Sequence, residues 1–169
     1  IRVLLDMVKP SAILEIGTAI AYSAIFFALN TEEDCRIKTI ENYKPRIVQA
    51  HSNIEEAGLT ERIELIEGDA REIIKGMEGN FDLIFLDSAK GQYINMLPDL
   101  MRLMRPGSVL LADNVLQEGE LAYSRYLMPR RARTIHERMR DFLYEVKHND
   151  KLDTTVLTVG DGVTVSVMK

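Results

Sequence analysis

The sequence predicts an α/β protein in which a doubly wound, mostly parallel sheet of seven strands ends in an antiparallel hairpin. Strand-sized apolar runs alternate with helical patterns along nearly the whole chain, and two of them, 81–87 and 108–113, are mostly apolar until they end in a carboxylate. Repeated βα units favour a parallel sheet with helices on both faces, and strands buried on both faces carry such runs. The chain closes with two alternating runs around Gly160-Asp161-Gly162, a strong hairpin signal.

The first half of the chain alternates strand and helix three times. The predicted strands are residues 13–17, 36–41 and 63–68. One helix is predicted over 23–29. A second opens at Lys44-Pro45, because proline is well tolerated in a first turn, and closes at Gly58. Asp69 stands three residues before Glu72, which is the spacing of a capping box, so a short helix is predicted to start there.

The second half continues with a strand over 81–87 and a mostly helical stretch over 92–104 that is interrupted or begun near Pro98. Arg105-Pro106-Gly107 ends that stretch, and the fifth strand follows over 108–113. After a longer loop, Thr134-Ile135-His136-Glu137 marks the start of the last helix. The two strands of the predicted hairpin are residues 154–159 and 163–168.

Length and composition bound the class of protein. With 169 residues, 46% of them hydrophobic and 28% charged, the chain is expected to form a single domain, 1–169, with an ordinary globular balance. No apolar run has the length of a transmembrane helix, and a single cysteine, Cys35, allows no internal disulfide. With no export signal, a cytoplasmic location is the simplest interpretation. The chain begins at Ile1, in what looks like the end of an amphipathic helix, so we expect an N-terminal segment to be missing.

The charge is unevenly distributed along the chain. The net charge is −5, yet the stretch 122–140 contains six arginines against one acid, Glu137. An acidic protein with one concentrated arginine stretch is typical of proteins that present it to an anion. The alternative is a solvated helix face with a few salt bridges in a dimer, and the sequence leaves both interpretations open.

The most specific candidate site joins the ends of two predicted strands. Asp87 ends one apolar strand, and Asp113 with Asn114 ends the next. In open parallel sheets the ligand crevice lies beyond the carboxyl ends of the strands, so these side chains are expected to meet there. Two carboxylates and an amide offer only oxygen, which suits a hard cation such as Mg²⁺ or Ca²⁺ rather than zinc. Lys90 lies close enough along the chain to share the site as a base.

Weaker motifs lie at the earlier strand ends. Gly17 stands at a strand-to-helix junction where a ligand can approach the backbone, and Ser23 can donate to a carboxylate, although a mere tight turn explains the motif equally well. The junction lacks G-x-G-x-x-G, which argues against a dinucleotide site. Glu41 is placed to accept hydrogen bonds from ribose hydroxyls, or is a surface glutamate. Asp69 is a helix N-cap, or borders an adenine pocket.

Taken together, these residues make the chain resemble the cation-dependent, S-adenosylmethionine-dependent O-methyltransferases, a group that includes the catechol and caffeoyl-CoA methyltransferases. The resemblance runs from about Ser11 to the C-terminus and implies a Rossmann-like fold. The residues that carry it are Glu15-Ile16-Gly17, Tyr22-Ser23, Glu41, Gly68-Asp69-Ala70, Phe85-Leu86-Asp87-Ser88-Ala89-Lys90, Tyr93 and Ala112-Asp113-Asn114-Val115.

The resemblance implies a role for each of these positions. Mg²⁺ would be held by Asp87, Asp113 and Asn114, with Lys90 as the base and Asp87 also part of the catalytic centre. S-adenosylmethionine would be bound with Glu41 at the ribose and with Asp69 and Ala70 beside the adenine. The full set expected to bind this cofactor is Glu15, Gly17, Tyr22, Ser23, Glu41, Asp69, Ala70 and Asp87. A homodimer is expected as well.

Within that family, the C-terminal tail is most similar to bacterial enzymes that methylate 5-hydroxyuridine in tRNA. The resemblance implies that Arg130, Arg131 and Arg133 grip phosphates of an anticodon loop. The alternative acceptor is a catechol-like small molecule. One departure, Ala21 where the family usually has glycine, is the only feature that favours a non-catalytic protein that binds S-adenosylmethionine or a nucleotide.

Overall fold

The computed structural model describes the backbone of residues 1–169 and every side chain except those of Glu118 and Arg125. Its strands are β1 (Ala12–Ile16), β2 (Arg36–Glu41), β3 (Ile63–Glu67), β4 (Phe81–Leu86), β5 (Met104–Asp113), β6 (Leu152–Leu157) and β7 (Val163–Met168). Its helices are α1 (Arg2–Val8), α2 (Tyr22–Leu29), α3 (Lys44–Glu56), α4 (Ala70–Gly76), α5 (Tyr93–Arg102) and α6 (Arg130–His148). Short 3₁₀ turns cover Lys90–Gln92, Gln117–Ala122 and Arg125–Leu127.

The seven strands form one sheet in the order β3-β2-β1-β4-β5-β7-β6. The first five strands pair in parallel, and β7 runs antiparallel between β5 and β6. The predicted Rossmann-like, doubly wound sheet with an antiparallel C-terminal hairpin is confirmed. The strand order reverses between β1 and β4, and at such a switch point the connections leave in opposite directions and open a crevice.

Helices cover both faces of the sheet and build two apolar cores. On one face, Phe27 of α2 and Ile54 of α3 are buried against the sheet, and the Phe27 ring meets Phe85 edge to face with centroids 5.4 Å apart. On the other face, Leu100 of α5 and Phe142 of α6 are buried. This burial on both sides makes the central strands a firm platform for the loops at their ends. Among the described residues, no helix combines the length and apolar character that crossing a bilayer requires.

The last helix starts earlier than the sequence pattern predicts. The prediction placed its start at Thr134, whereas α6 begins at Arg130, directly after Pro129 in the N-cap position. Arginine and alanine are good helix formers, so residues 130–133 extend the helix once proline has set the chain direction. Arg130, Arg131 and Arg133 therefore lie in the first turn of a helix and not in a loop.

Two other boundaries differ around Pro98 and Pro106. The helix predicted to be interrupted or begun near Pro98 runs through it, because α5 buries Met96, Leu97 and Leu100 on one face and this burial outweighs the lost backbone bond. The strand predicted to begin at Ser108 begins at Met104 and includes Pro106. Proline is tolerated there because the pairing of β4 with β5 shifts register at this point.

Candidate active site

A cavity of about 630 Å³ lies in the crevice beyond the carboxyl ends of β1 to β4. Each of the predicted site residues in its lining lies at or just after the end of one of these strands, and they are Gly17, Glu41, Asp69, Ala70 and Asp87. The parallel direction of the strands brings these residues to one edge of the sheet. The structure thus gathers most of the predicted cofactor set into one cavity.

Gly17 sets the close approach of the first and fourth strand ends. Its φ is +102°, a value that side-chain-bearing residues rarely adopt, and a Cβ built there would lie 2.0 Å from the carbonyl oxygen of Asp87. The backbone N–H of Asp87 donates to the carbonyl of Ile16 at 3.0 Å. Gly17 is therefore needed for the backbone position of Asp87 as well as for the shape of the cavity.

Glu15 lies fully buried beneath this turn and does not line the cavity. Ser23 Oγ donates to its carboxyl, Thr39 Oγ1 donates to Oε2 at 2.5 Å, and the hydroxyls of Thr39 and Thr18 share a further hydrogen bond of 2.6 Å. Burial raises the pKa of Glu15 to about 7, against the opposing effect of the hydrogen bonds from Ser23 and Thr39. This network ties the start of α2 to β1 and β2.

The turn before α2 holds a strained alanine. Ala21 is fully buried and has φ +67°, and Ala19 has φ +49°. A left-handed conformation costs an alanine roughly 1 kcal/mol relative to glycine. Tyr22, which was expected to contact the cofactor, is 77% exposed and lies outside the residues that line the cavity.

Glu41 is fixed in the cavity by the backbone. Its Oε2 accepts from the N–H of Ala19 at 2.9 Å, and its Oε1 accepts from the N–H groups of Asn42 and Tyr43 at 3.0 Å each. A carboxylate offers about four lone-pair positions, so three such bonds leave acceptor capacity for a ligand hydroxyl. The structure therefore presents Glu41 as a rigid acceptor and not as a mobile surface side chain.

Asp69 caps α4 and also lines the cavity. Its Oδ1 accepts from the backbone N–H of Arg71 at 3.0 Å, as its capping-box spacing predicted. The Arg71 guanidinium forms an ion pair with the same carboxylate at 2.5 Å, and its hydrogen bonds hold the pKa of Asp69 below its usual value. Both interpretations of Asp69, as N-cap and as cavity wall, describe the same side chain.

The ends of β4 and β5 bring Asp87, Asp113 and Asn114 together. Leu86 pairs with Ala112, so the next residues on each strand are neighbours. Partial removal of its carboxyl from water raises the pKa of Asp87, and the negative charge of Asp113 raises it further. Asn114 has φ +55°, a conformation that asparagine tolerates better than most residues, and its N–H donates to Asp113 Oδ1 at 2.7 Å.

This donor set fits a hard cation. No described residue donates a hydrogen bond to the side-chain oxygens of Asp87 or Asn114, and one of the two Asp113 oxygens accepts only from the backbone. The two adjacent carboxylates repel each other, and although the charge of Lys90 opposes this effect, the pKa of Asp87 stays raised. In the described part of the chain no group of three or more His, Cys, Asp or Glu is suited to a metal, so a cation held by Asp87 and Asp113 would take its third protein ligand from the amide oxygen of Asn114.

Tyr93 holds the two strand ends at a fixed separation. Its buried hydroxyl lies 3.1 Å from the carbonyl of Leu86 and 3.2 Å from that of Asp113, and it accepts from the N–H of Ser88 at 3.3 Å. Burial, followed by the charge of Asp87, raises the pKa of Tyr93 well above its usual value, so the hydroxyl keeps its proton. One side chain therefore bridges the backbone segments that carry Asp87 and Asp113.

Lys90 lies in the 3₁₀ turn after β4, beside this pair of strand ends. Its Nζ is 3.6 Å from Oδ2 of Asp161, a residue in the turn of the C-terminal hairpin. About a third of the Lys90 side chain is exposed. The α6 helix packs on the same 3₁₀ turn, where the guanidinium of Arg138 donates to the carbonyl of Gly91 at 3.2 Å.

The predicted arginine cluster divides into two parts. Arg133 donates to the backbone carbonyls of Met128 and Tyr126 at 3.0 and 3.3 Å, and so closes the loop onto α6. Arg130 and Arg131 are exposed at the start of the same helix. Beside them in the chain, Tyr123 is 58% exposed and Tyr126 is 75% exposed. The backbone carbonyls of Tyr126 and Tyr123 lie within hydrogen-bond distance of Arg133 and His136, so the segment that carries the tyrosines packs against α6.

The structure adds functional candidates that the sequence interpretation did not assign. Tyr93 was noted only as part of a motif, and Asp161 only as a turn residue between two glycines. Thr39 of β2 donates to Glu15. Alternate residues of a strand share a face, and this periodicity was the only feature of the sequence that could have indicated the direction of the Thr39 side chain. The partners of Tyr93 and Asp161 are distant in the chain, so no local pattern indicated them.

Known proteins are similar in sequence to this chain over nearly its whole length. A family model described as O-methyltransferase matches residues 1–169. A catechol O-methyltransferase of Niastella koreensis is 30% identical over 178 residues, which cover 100% of this chain and 78% of that protein. Caffeoyl-CoA O-methyltransferase 1 of Eucalyptus globulus is 28% identical over 183 residues, which cover 98% of this chain and 70% of that protein.

A solved structure has the same architecture. The O-methyltransferase from Bacillus cereus, crystallised in complex with S-adenosylhomocysteine, superposes with a TM-score of 0.89 at 29% identity. The match covers 99% of this chain and 78% of that one. The similarity therefore includes the sheet, both helical layers and the crevice.

Proposed function

The chain belongs to the O-methyltransferase family, and from that premise we propose that it transfers a methyl group from S-adenosylmethionine to an acceptor hydroxyl with the help of a divalent cation, Mg²⁺ above all. Its enzyme class is that of the S-adenosylmethionine-dependent O-methyltransferases of the catechol and caffeoyl-CoA type. The cation, the roles of individual residues and the acceptor are the proposal.

The cofactor is assigned to the cavity between β1 and β4. Glu41 accepts the ribose hydroxyls, because its carboxylate is held by three backbone donors and has acceptor capacity left. Asp69 and Ala70 border the adenine at the start of α4. Gly17 and Asp87, which line the cavity, are assigned to the methionine part, and the remaining members of the expected set, which lie outside the lining, are Glu15, Tyr22 and Ser23. Glu15 and Ser23 act by fixing the turn, since their side chains bond to each other.

The cation is assigned to Asp87, Asp113 and Asn114. The support is their available oxygens and the pKa of Asp87, which burial raises and the negative charge of Asp113 raises further. Carboxylate and amide oxygens are the ligands that hard cations prefer. A divalent cation held there supplies charge that favours the ionised form of an acceptor hydroxyl.

Lys90 is assigned as the general base. Its amine takes the proton from the acceptor O–H, and the oxygen keeps the bonding electrons. That oxygen forms a bond to the methyl carbon in line with the carbon–sulfur bond, which breaks and leaves its electrons on sulfur. The products are the methyl ether and S-adenosylhomocysteine, and the proton remains on Lys90 Nζ until solvent removes it. Asp87 keeps the acceptor oxygen aligned with Lys90, and positioning of this kind contributes a large part of the rate enhancement.

One observation carries the choice of acceptor, which is 5-hydroxyuridine in a tRNA anticodon loop. Arg130 and Arg131 are exposed at the start of α6, and Tyr123 and Tyr126 are exposed in the segment that precedes this helix in the chain. Arg130 precedes Arg138, which contacts the Lys90 turn, by two helical turns, or roughly 12 Å at 1.5 Å per residue. Arginines bind phosphates, and tyrosines stack on unpaired bases, so this surface suits a single-stranded loop beside the crevice.

The names of the relatives favour a second acceptor class. Proteins called catechol and caffeoyl-CoA O-methyltransferase are 30% and 28% identical to this chain over nearly its whole length. A small hydroxylated aromatic is therefore the alternative acceptor, and in that case the arginines of α6 stabilise the helix start or bind an acidic group of the acceptor.

Transfer of a labelled methyl group distinguishes these acceptors. The full-length protein is incubated with labelled S-adenosylmethionine and Mg²⁺, together with hydroxyuridine-containing bacterial tRNA or with a catechol panel, each with and without EDTA. We expect label on tRNA that EDTA abolishes. Label on catechols alone would establish the small-molecule enzyme, and label that resists EDTA would refute the role of the cation. No label on either, despite bound S-adenosylmethionine, would favour a non-catalytic binder.

The arginine surface has its own test. Charge reversal of Arg130 and Arg131 to glutamate is expected to weaken tRNA binding and to reduce the slope of log affinity against log salt by about one unit for each arginine that neutralises a phosphate. The same reversal at Arg36, which is exposed on β2, is the matched control. Unchanged tRNA affinity with an unchanged slope would contradict the RNA surface.

Three other expectations stay predictions. The homodimer is tested by the molar mass of the full-length protein in light scattering. The cytoplasmic location is tested by fractionation of cells that produce it. The single domain over 1–169 is tested by limited proteolysis, which should yield one resistant core.

A further inference from the structure

The turn of the C-terminal hairpin is locked to the loop that follows Asn114. The N–H of Val115 donates to the carbonyl of Gly162 at 3.0 Å, and the N–H of Leu116 donates to the carbonyl of Asp161 at 2.9 Å. A Cβ added at Gly162, whose φ is +78°, would lie 2.2 Å from the side chain of Leu116. The backbone of Asp161 is therefore held in a fixed position relative to Asp113 and Asn114.

From that fixed backbone the carboxylate of Asp161 approaches Lys90. The separation of Nζ and Oδ2 is 3.6 Å, and only 20% of the Asp161 side chain and 32% of the Lys90 side chain are exposed. A pair this sheltered is screened less by water and salt than an exposed one. The other ion pair of the hairpin, Lys169 with Asp153, is far more open, with 48% and 77% exposed.

We propose that Asp161 is a positioning residue that holds Nζ of Lys90 beside the ends of β4 and β5. A lysine carries a flexible four-carbon stem, so its Nζ samples many positions unless a partner restrains it. Bases in active sites are commonly oriented by a further group in this way. Asp161 is attached to the same loop as two of the assigned cation ligands, so it sets Lys90 relative to them. This inference rests on the proposed role of Lys90.

A double-mutant cycle tests the proposal. The steady-state rate of methyl transfer from labelled S-adenosylmethionine is measured for wild type, Asp161→Asn, Lys90→Met and the double variant, with hydroxyuridine-containing tRNA and with catechol as acceptors. Asp161→Asn is expected to lower kcat by about 10- to 100-fold, as loss of an orienting partner does, with the KM for S-adenosylmethionine unchanged. In the Lys90→Met background the same substitution is expected to change the rate by less than about twofold.

The matched control is Asp153→Asn, which removes the exposed ion pair of the same hairpin and should leave kcat unchanged. Equal losses from Asp161→Asn in both backgrounds would mean that Asp161 acts on the fold and not through Lys90, which overturns the inference. A fully active Asp161→Asn with an inactive Lys90→Met overturns the inference alone. An active Lys90→Met overturns the base assignment and the inference with it.

Acylation of Lys90 by acetic anhydride, followed by mass spectrometry, gives a readout that needs no acceptor. The ion pair shelters Nζ, so Asp161→Asn should raise the labelling rate of Lys90 severalfold, whereas Asp153→Asn should not. An unchanged labelling rate would show that Asp161 does not restrain the lysine, and would overturn the proposal.

Discussion

The carboxylates on the two sides of the crevice differ in how far the protein supplies their hydrogen-bond partners. On the side of β1 and β2, Glu15 and Glu41 accept hydrogen bonds from neighbouring hydroxyls and backbone N–H groups, and Glu15 lies buried with a raised pKa. On the side of β4 and β5, Asp87 accepts no hydrogen bond from any described residue and faces the charge of Asp113. The protein itself satisfies the first pair, whereas the second pair is left for a ligand.

Because of this difference, the carboxylates on the first side are preorganised for a ligand, whereas those on the second side depend on a ligand for their stability. A carboxylate that is already hydrogen-bonded keeps its position before the cofactor arrives, so the cofactor side needs little rearrangement on binding. Asp87 accepts no hydrogen bond from any described residue and Asp113 accepts one from the backbone, so the two carboxylates repel each other, and a cation bound between them would stabilise the folded protein.

The largest effect is expected from Asp113→Ala, which removes one ligand from the unsatisfied side. Turnover with Mg²⁺ should fall by at least about 10²- to 10³-fold, comparable to the loss of one key electrostatic group. Added Mg²⁺ should raise the Tm of the wild type and not that of the variant. Asp153→Ala is the control for loss of an exposed carboxylate. A wild-type rate in Asp113→Ala would refute the cation assignment.

On the satisfied side, Glu15→Gln tests the buried carboxyl. The pKa of Glu15 is raised to about 7 in the folded protein from an ordinary 4.5, so the native state binds the extra proton between these values. The free energy of unfolding of the wild type should therefore fall as pH rises from about 4.5 to 7, by about 3 kcal/mol from this group, and then level off.

Glutamine keeps one of the two acceptor oxygens and does not titrate, so the variant should lose this part of the pH dependence. Urea unfolding at a series of pH values measures it. Glu64→Gln on β3, whose side chain is 60% exposed, is the control and should preserve the wild-type slope. If Glu15→Gln and the wild type lose stability in parallel between pH 4.5 and 7, the pKa of Glu15 is not raised in the folded protein.

Gly17→Ala tests the contact between the two sides of the crevice, because the added Cβ would clash with the carbonyl oxygen of Asp87. Gly58 has a similar positive φ but open space around it, so Gly58→Ala measures the backbone strain alone. We expect Gly17→Ala to lose about 1–3 kcal/mol more than Gly58→Ala in chemical denaturation, and to weaken binding of Mg²⁺ as well. Equal losses in the two variants would contradict the close approach.

The smallest effect is expected from Ala21→Gly. Glycine relieves the left-handed strain at φ +67°, partly offset by the greater freedom of glycine in the unfolded chain, so stability should rise by up to about 1 kcal/mol. Affinity for S-adenosylmethionine, measured by calorimetry, should not fall. Ala50→Gly inside α3 is the matched control and should destabilise the protein. A similar loss from Ala21→Gly would show that the alanine is unstrained.

The sequence by itself determined the order of the elements and the class of the sheet. These features are local patterns: apolar runs of strand length, helix signals such as Pro45 and Asp69, and the glycine-flanked turn before β7. A local pattern can be interpreted without knowing which distant residues the segment contacts. The meeting of Asp87 with Asp113 and Asn114 was also predictable, because the carboxyl ends of neighbouring parallel strands lie at one edge.

Only the tertiary structure decided which side chains are already satisfied. The bond of Thr39 to Glu15, the bridge from Tyr93 to Asp113 and the pair of Lys90 with Asp161 join residues distant in the chain. The starts of α6 and β5 also depended on long-range packing and register, which overrode the local signals at Thr134 and Ser108. A local pattern indicates that a residue is polar and where it stands on its element. The partner that satisfies it is fixed by packing across the sheet.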